Sequence, residues 1–192
     1  MDTSSQKSRA LQLRIADAAY VAIAPYELVE LIEHPATLVV PFAPPYCAEM
    51  LVWEGQAVAV FDLRALVRYV HPESFQASQT NDAPPLAALL PHVLIAAYQT
   101  AAATSLRYVG LRVAGVPQTV VVNDVDHAPL PLPAWVPITA ACFNDGLDVV
   151  PIIDVQRLAQ LAASEIEALA QATQSTQLAS PAQSDAVDWV LE

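Results

Sequence analysis

A chain of 192 residues that is 55% hydrophobic, with a mean hydropathy of +0.38, can bury a sizeable core and has room for two small domains or one larger one. Its 20 acidic and 8 basic residues give a net charge of −12, and Lys7 is the single lysine, which leaves no basic stripe of the sort a phosphate backbone requires; neither nucleic acid nor an anionic membrane surface is expected as a partner. Apolar runs such as Val93 to Ala97 fall far short of the roughly 20 residues that span a bilayer, and the polar start lacks the apolar core of a secretory signal; a cytoplasmic protein with no direct membrane insertion is expected.

In chain order, Leu11 to Ile15 alternates apolar and polar residues with period two, and Ala19 to Ile23 suits its hairpin partner across the Ala16-Asp17 corner. Pro25 to His34 spaces Glu27, Glu30 and Glu33 by three residues, which fits a helical turn or an acidic-edged strand; a strand flanked by a turn is the expectation. Val39 to Tyr46 is too proline-rich for regular structure and reads as a connector. Met50 to Trp53 and Ala57 to Phe61 form a hairpin around Gly55, followed by a short helix from Leu63 to Tyr69.

Between residues 71 and 91 the apolar periodicity gives way to polar, proline and alanine residues, the composition of a linker. Val93 to Tyr98 and Arg107 to Val113 make a second hairpin, Val116 to Val122 a further strand, and Pro129 to Pro137 a second connector. Ile138 to Phe143 then leads into a turn at Gly146. Leu158, Ala162, Ile166 and Leu169 form one stripe of an alanine-rich helix. After Thr173 the tail is rich in Gln, Ser and Ala and is expected to be mobile.

The segment from Val58 to Leu66 returns as Val150 to Leu158, with Asp62 and Asp154 92 positions apart, and each copy follows a turn. The repeated unit is therefore turn, buried strand, Asp, short helix, and the chain reads as an internal duplication. A duplicated aspartate could form a dyad like that of aspartic proteases, but Leu63 and Val155 follow where that family's pattern has a hydroxyl and a glycine, so both carboxylates are expected to cap helices. Four scattered glycines provide no phosphate-cradling loop. The four histidines lack ligand spacing and read as exposed turn residues, while Cys47 and Cys142 read as buried reduced thiols. No catalytic, metal or cofactor-binding residue is expected, and the chain is read as not an enzyme.

Leu28-Val29-Glu30-Leu31, Val40 to Tyr46, and Glu54 to Arg64 together resemble the CheW-like domain of bacterial chemotaxis adaptors, and the likeness extends through Val121 to Val125 and Val150 to Val155. The resemblance implies a mostly β fold, two SH3-like five-stranded barrels side by side, with short helices and a C-terminal helix. It covers 10–163, divided as a first barrel (10–70), a linker (71–91) and a second barrel (92–163), with 164–192 as C-terminal helix and mobile tail. It further implies a non-enzymatic scaffold that couples the cytoplasmic tip of a chemoreceptor to a CheA-type histidine kinase, with Glu30, Trp53, Glu54 and Gly55 as partner-binding residues. Glu49, Val52, Glu54 and Ala59 stand where the family pattern has glycine, asparagine, arginine and proline. A pathway controlling type IV pili is the expected setting, and a small-ligand sensor with a cavity between the barrels is the alternative.

Overall fold

The computed structural model describes residues 7–16, 19–70, 90–100, 105–130, 133–146, 148–161 and 163–164. Most of the expected linker, the expected helical positions Ala162, Ile166 and Leu169, and the tail lie outside these residues. The described residues contain eleven strands, β1 (Lys7–Ala16), β2 (Ala19–Ile23), β3 (Leu28–Glu33), β4 (Leu38–Val39), β5 (Glu49–Trp53), β6 (Gln56–Phe61), β7 (His92–Tyr98), β8 (Arg107–Val113), β9 (Gln118–Asn123), β10 (Thr139–Asn144) and β11 (Val149–Ile153). Helix α1 is Leu63–Val70, and a second helix, α2, occupies 155–161. No helix among the described residues is long and apolar enough to cross a membrane.

Two sheets result, β10-β11-β2-β1-β9 and β4-β5-β6-β8-β7-β3. We call them barrel A and barrel B. The pairing crosses the boundary expected at 71–91: hairpin β1–β2 joins β9 and β11, while hairpin β7–β8 joins β3 and β6. Each barrel is thus built from both sides of that segment, rather than one from 10–70 and another from 92–163. The two copies have exchanged hairpins reciprocally, and apart from β4 the strand orders match one for one.

Register extends the match to individual residues. Val60 lies opposite Gly110 in barrel B, and Ile152 lies opposite Ala22 in barrel A, both in parallel ladders. From that anchor, Leu51, Val58, Val60, Ile32 and Tyr108 in the interior of barrel B correspond to Phe143, Val150, Ile152, Val120 and Tyr20 in barrel A. Gly110 has no room for a side chain, because a Cβ there would sit 2.8 Å from Val93 Cγ1 and 3.1 Å from Val60 Cγ2. Its counterpart, Ala22, is the next smallest residue.

A third apolar cluster joins the barrels. Leu11, Leu13, Val21 and Ile23 from the first hairpin meet Leu94, Val109, Leu111 and Val113 from the second, with Phe61, Leu66, Ile153 and Leu158 around them. Among the described residues these side chains fill the space between the two hairpins, and an open cleft of about 510 Å³ lies at the barrel junction, lined by Ala24, Glu27, Ala97, Tyr98, Ile152 and Asp154.

Both aspartates cap helices at equivalent junctions. The Asp62 backbone N–H donates to Tyr46 C=O at 2.8 Å and the Asp154 N–H to Ile138 C=O at 2.8 Å, so each strand end is tied to a 3-10 turn, Pro45–Cys47 or Pro133–Ile138. Asp62 Oδ1 accepts from the N–H groups of Arg64 (2.9 Å) and Ala65 (3.1 Å), and Asp154 Oδ1 accepts from Arg157 N–H at 3.0 Å. Burial raises the Asp62 carboxyl pKa, outweighing the two cap bonds and the nearby Arg64 and Arg68 charges that lower it. The native state therefore holds this proton more tightly than the unfolded chain, so the contribution of this ionisation is greatest in acid and falls as pH rises through the native pKa. Asp62→Ala should cost about 1 kcal/mol, and Asp62→Asn, which keeps the acceptor, less; denaturant unfolding at neutral pH measures both.

Candidate functional site

The four sequence-predicted partner residues come together at one end of barrel B. Trp53 pairs with Gln56 across a two-residue turn, and Glu54 (φ 46°) with Gly55 (φ 75°) supply the two left-handed positions of a type I′ hairpin. The Glu54 side chain projects into solvent from this turn's exposed surface. Trp53, by contrast, is buried; its indole N–H donates to Glu30 Oε2 at 2.7 Å and its ring lies 4.8 Å from that of Tyr108. The indole spans from β5 to β3 and closes the mouth of barrel B. Glu30 and Trp53 thus hold one another, and Glu30 and Glu54 both present exposed carboxylates at this end of the barrel.

An apolar surface adjoins this turn. Antiparallel pairing sets Leu38 opposite Met50, Met50 opposite Ala59 and Val52 opposite Ala57, so these side chains share the outer face of β4, β5 and β6. Val52 is 68% exposed, and Leu38, Val39 and Phe42 are exposed as well. Sequence reading missed Leu38, Val39 and Phe42, because the prolines that follow mark a connector from Val39; large apolar residues at its start and within it were the available signal. A cleft of about 430 Å³ lies beside this face, between β6, β8 and α2, with Ala57, Ala59, Arg107, Val109 and Ala159 among its lining residues.

Beneath the opposite end of β5 is a buried ion pair. Arg112, on the central strand β8, points into barrel B, and its guanidinium donates through Nε (3.0 Å) and a second nitrogen to Glu49 Oε2, with further bonds to Thr37 Oγ1 (3.1 Å) and Leu90 C=O (3.4 Å). Glu49, a departure from the family pattern, is the counter-ion of an otherwise costly interior arginine.

The chemistry present is that of a binding surface. The described residues contain no cluster of three or more His, Cys, Asp or Glu side chains arranged for a metal. His34 and His127 are exposed, and His71 lies outside the described residues. His92 corrects the expectation of turn histidines: it opens β7 opposite Glu33, where an apolar strand begins directly after Pro91. Both cysteines are buried and free, and burial pushes the Cys47 thiol up to about 11. Neither thiol should react with a thiol-specific reagent until the protein unfolds, a contrast that labelling with and without denaturant measures.

Against known proteins, the CheW-like domain model matches residues 9–163. No curated protein matches the chain. Among solved structures it is similar to the scaffolding protein TtCheW from Thermoanaerobacter tengcongensis, with a TM-score of 0.54 and 11% identity over 78% of this chain and 90% of that one. At that identity the structural likeness speaks for the fold. The family match covers both exchanged hairpins and both capped junctions, and the chain belongs to the CheW-like domain family.

Proposed function

We propose that this protein is a non-enzymatic scaffold that couples a chemoreceptor tip to a CheA-type histidine kinase. The observation that carries the reading is the exposed apolar face of barrel B, with Leu38 and Val52 on the strands and exposed Phe42 in the loop after β4, together with the acidic turn at Glu54. Contiguous exposed apolar surface of this kind is characteristic of protein contacts. The kinase regulatory domain docks on this face, and the receptor tip occupies the junction cleft that holds Arg107. Family membership supports a scaffolding role, and the partner assignments are our own.

Glu54 reverses the charge of the arginine in the family pattern, so the cognate partner presents Lys or Arg at the facing position. The charge reversal supports a divergent pathway, and we propose the control of surface motility by type IV pili as its setting. Deleting the gene should impair pilus-driven spreading; loss of swimming with normal spreading would place the protein in a flagellar pathway instead.

Titration against the kinase regulatory domain tests the surface. Val52→Glu should weaken binding by about tenfold or more without changing the unfolding midpoint, since Val52 is 68% exposed. Glu54→Arg should weaken it too, by an amount that shrinks as salt rises. Unchanged affinity for both variants would remove this face from the interface.

A further inference from the structure

The two barrels share one interior plan, and they differ at the mouth. Trp53, Ile95 and Val93 of barrel B correspond by register to Asp145, Gln12 and Ala10 of barrel A. Trp53 crosses from β5 to Glu30 on β3. Asp145 instead accepts from Gln12 Nε2 at 2.9 Å and from the Asp148 N–H of its own turn at 2.9 Å, so a short carboxylate stands where barrel B has the large indole of Trp53. An open slot of about 830 Å³ remains there, floored by Val120 and Phe143 and rimmed by Val121, Val125, Asp126 and Asp145.

Strand edges border this slot. Among the described residues β9 pairs with β1 alone and β10 with β11 alone, and a single bridge between His127 and Phe143 links the two sides. The Asn123 N–H and side-chain amide at the end of this edge donate to Asp126 Oδ2 at 3.0 and 2.8 Å, and the outward N–H and C=O groups of the preceding residues of β9 form a template for another strand. Val121 and Val125 stand 57% and 81% exposed beside it. The slot's lining includes two aspartates and neither Lys nor Arg.

We propose that this slot binds an extended segment of another protein, added as a strand along the free edge of β9, in which basic residues flank one large apolar side chain. That side chain takes the place in barrel A that Trp53 holds in barrel B. The basic residues meet Asp126 and Asp145, in keeping with a chain of net charge −12. The chain's own C-terminal segment contains Trp189, but Asp185, Asp188 and Glu192 surround it and would repel the rim. This site is separate from the surfaces assigned above to kinase and receptor, so its test does not depend on that assignment.

The test titrates the isotope-labelled full chain with a capped Lys-Val-Lys-Trp-Lys-Val peptide and follows backbone amide resonances. Shifts should concentrate in 118–123 and 143–146 and leave 28–33 and 49–53 in place. The peptide with Glu in place of Lys should bind about tenfold more weakly or worse. Asp145→Trp, which gives barrel A the plug of barrel B, should reduce affinity by a similar factor; should that variant not fold, Asp126→Asn should weaken binding and flatten its salt dependence. Absence of binding, shifts centred on barrel B, or equal affinity for the two peptides would overturn the proposal. So would resonance changes at 118–123 on Trp189→Ala without peptide, which would give the slot to the chain's own tail.

Discussion

Residues 1–89 and 90–192, produced as separate polypeptides, should each fail to fold, and mixing them should restore one folded complex. The exchanged hairpins dictate this outcome. Without the second half, β1 and β2 lose β9 and β11, and β3 and β6 lose β7 and β8; what remains are the hairpin β1–β2, the lone strand β3 and the meander β4-β5-β6, whose β4 is two residues long, each stripped of its packing partners and at best marginally stable in water. The cluster between the barrels would also divide, separating Leu11, Leu13, Val21 and Ile23 from Leu94, Leu111 and Val113. The loss should be complete, read as collapse of amide dispersion in either fragment alone. The intact chain should unfold in one cooperative step, since neither barrel can be lost without removing a hairpin from the other. A cooperative melt from residues 1–89 alone would show that the first half closes its own barrel and would refute the exchange.

Glu49→Ala should produce the largest effect of any single substitution at a polar residue here, about 3 kcal/mol or more. The substitution removes the only carboxylate that meets the Arg112 guanidinium among its described bonds and leaves that cation inside barrel B with Thr37 and Leu90. The Arg112 side chain is 4% exposed and that of Glu49 is 26%, so the remaining arginine cannot regain its water as a remaining glutamate could. Arg112→Met should accordingly cost less than Glu49→Ala. Combining Arg112→Met with Glu49→Leu should recover much of the loss, because the corresponding places in barrel A are Ala141 and Ala24 and that barrel folds with no ion pair there. Chemical denaturation of the two single variants and the double variant measures the coupling; additive losses would mean that the two side chains do not act as a pair.

Local signals made much of this architecture legible before any coordinates. The hairpin at Gly55, the strands around residues 93–98 and 107–113, and the aspartate caps are set by residues a few positions apart, and all appear where periodicity and turn chemistry put them. The hairpin exchange was not legible. It depends on which partner Ala22 and Gly110 choose, Ile152 and Val60, and an apolar strand with both faces covered accepts either neighbour on pattern alone. Arg112 was hidden for a related reason: between Leu111 and Val113 it looks like the solvent side of an alternating strand, whereas β8 is central and both its faces are buried. Trp53, Glu30 and Glu54 were named together by resemblance, but only geometry shows that Glu30 accepts the Trp53 indole N–H across the barrel while Glu54 stands on the turn.

Coupling requires that one molecule hold both partners at once, and size-exclusion chromatography with light scattering tests this directly. The purified full chain, a CheA-type kinase regulatory domain and a soluble chemoreceptor tip should elute together as a ternary complex, with the kinase domain lost on Val52→Glu while the receptor tip stays bound. Elution of all three as free species, or binary complexes in which one partner displaces the other, would contradict the role of a scaffold joining receptor to kinase.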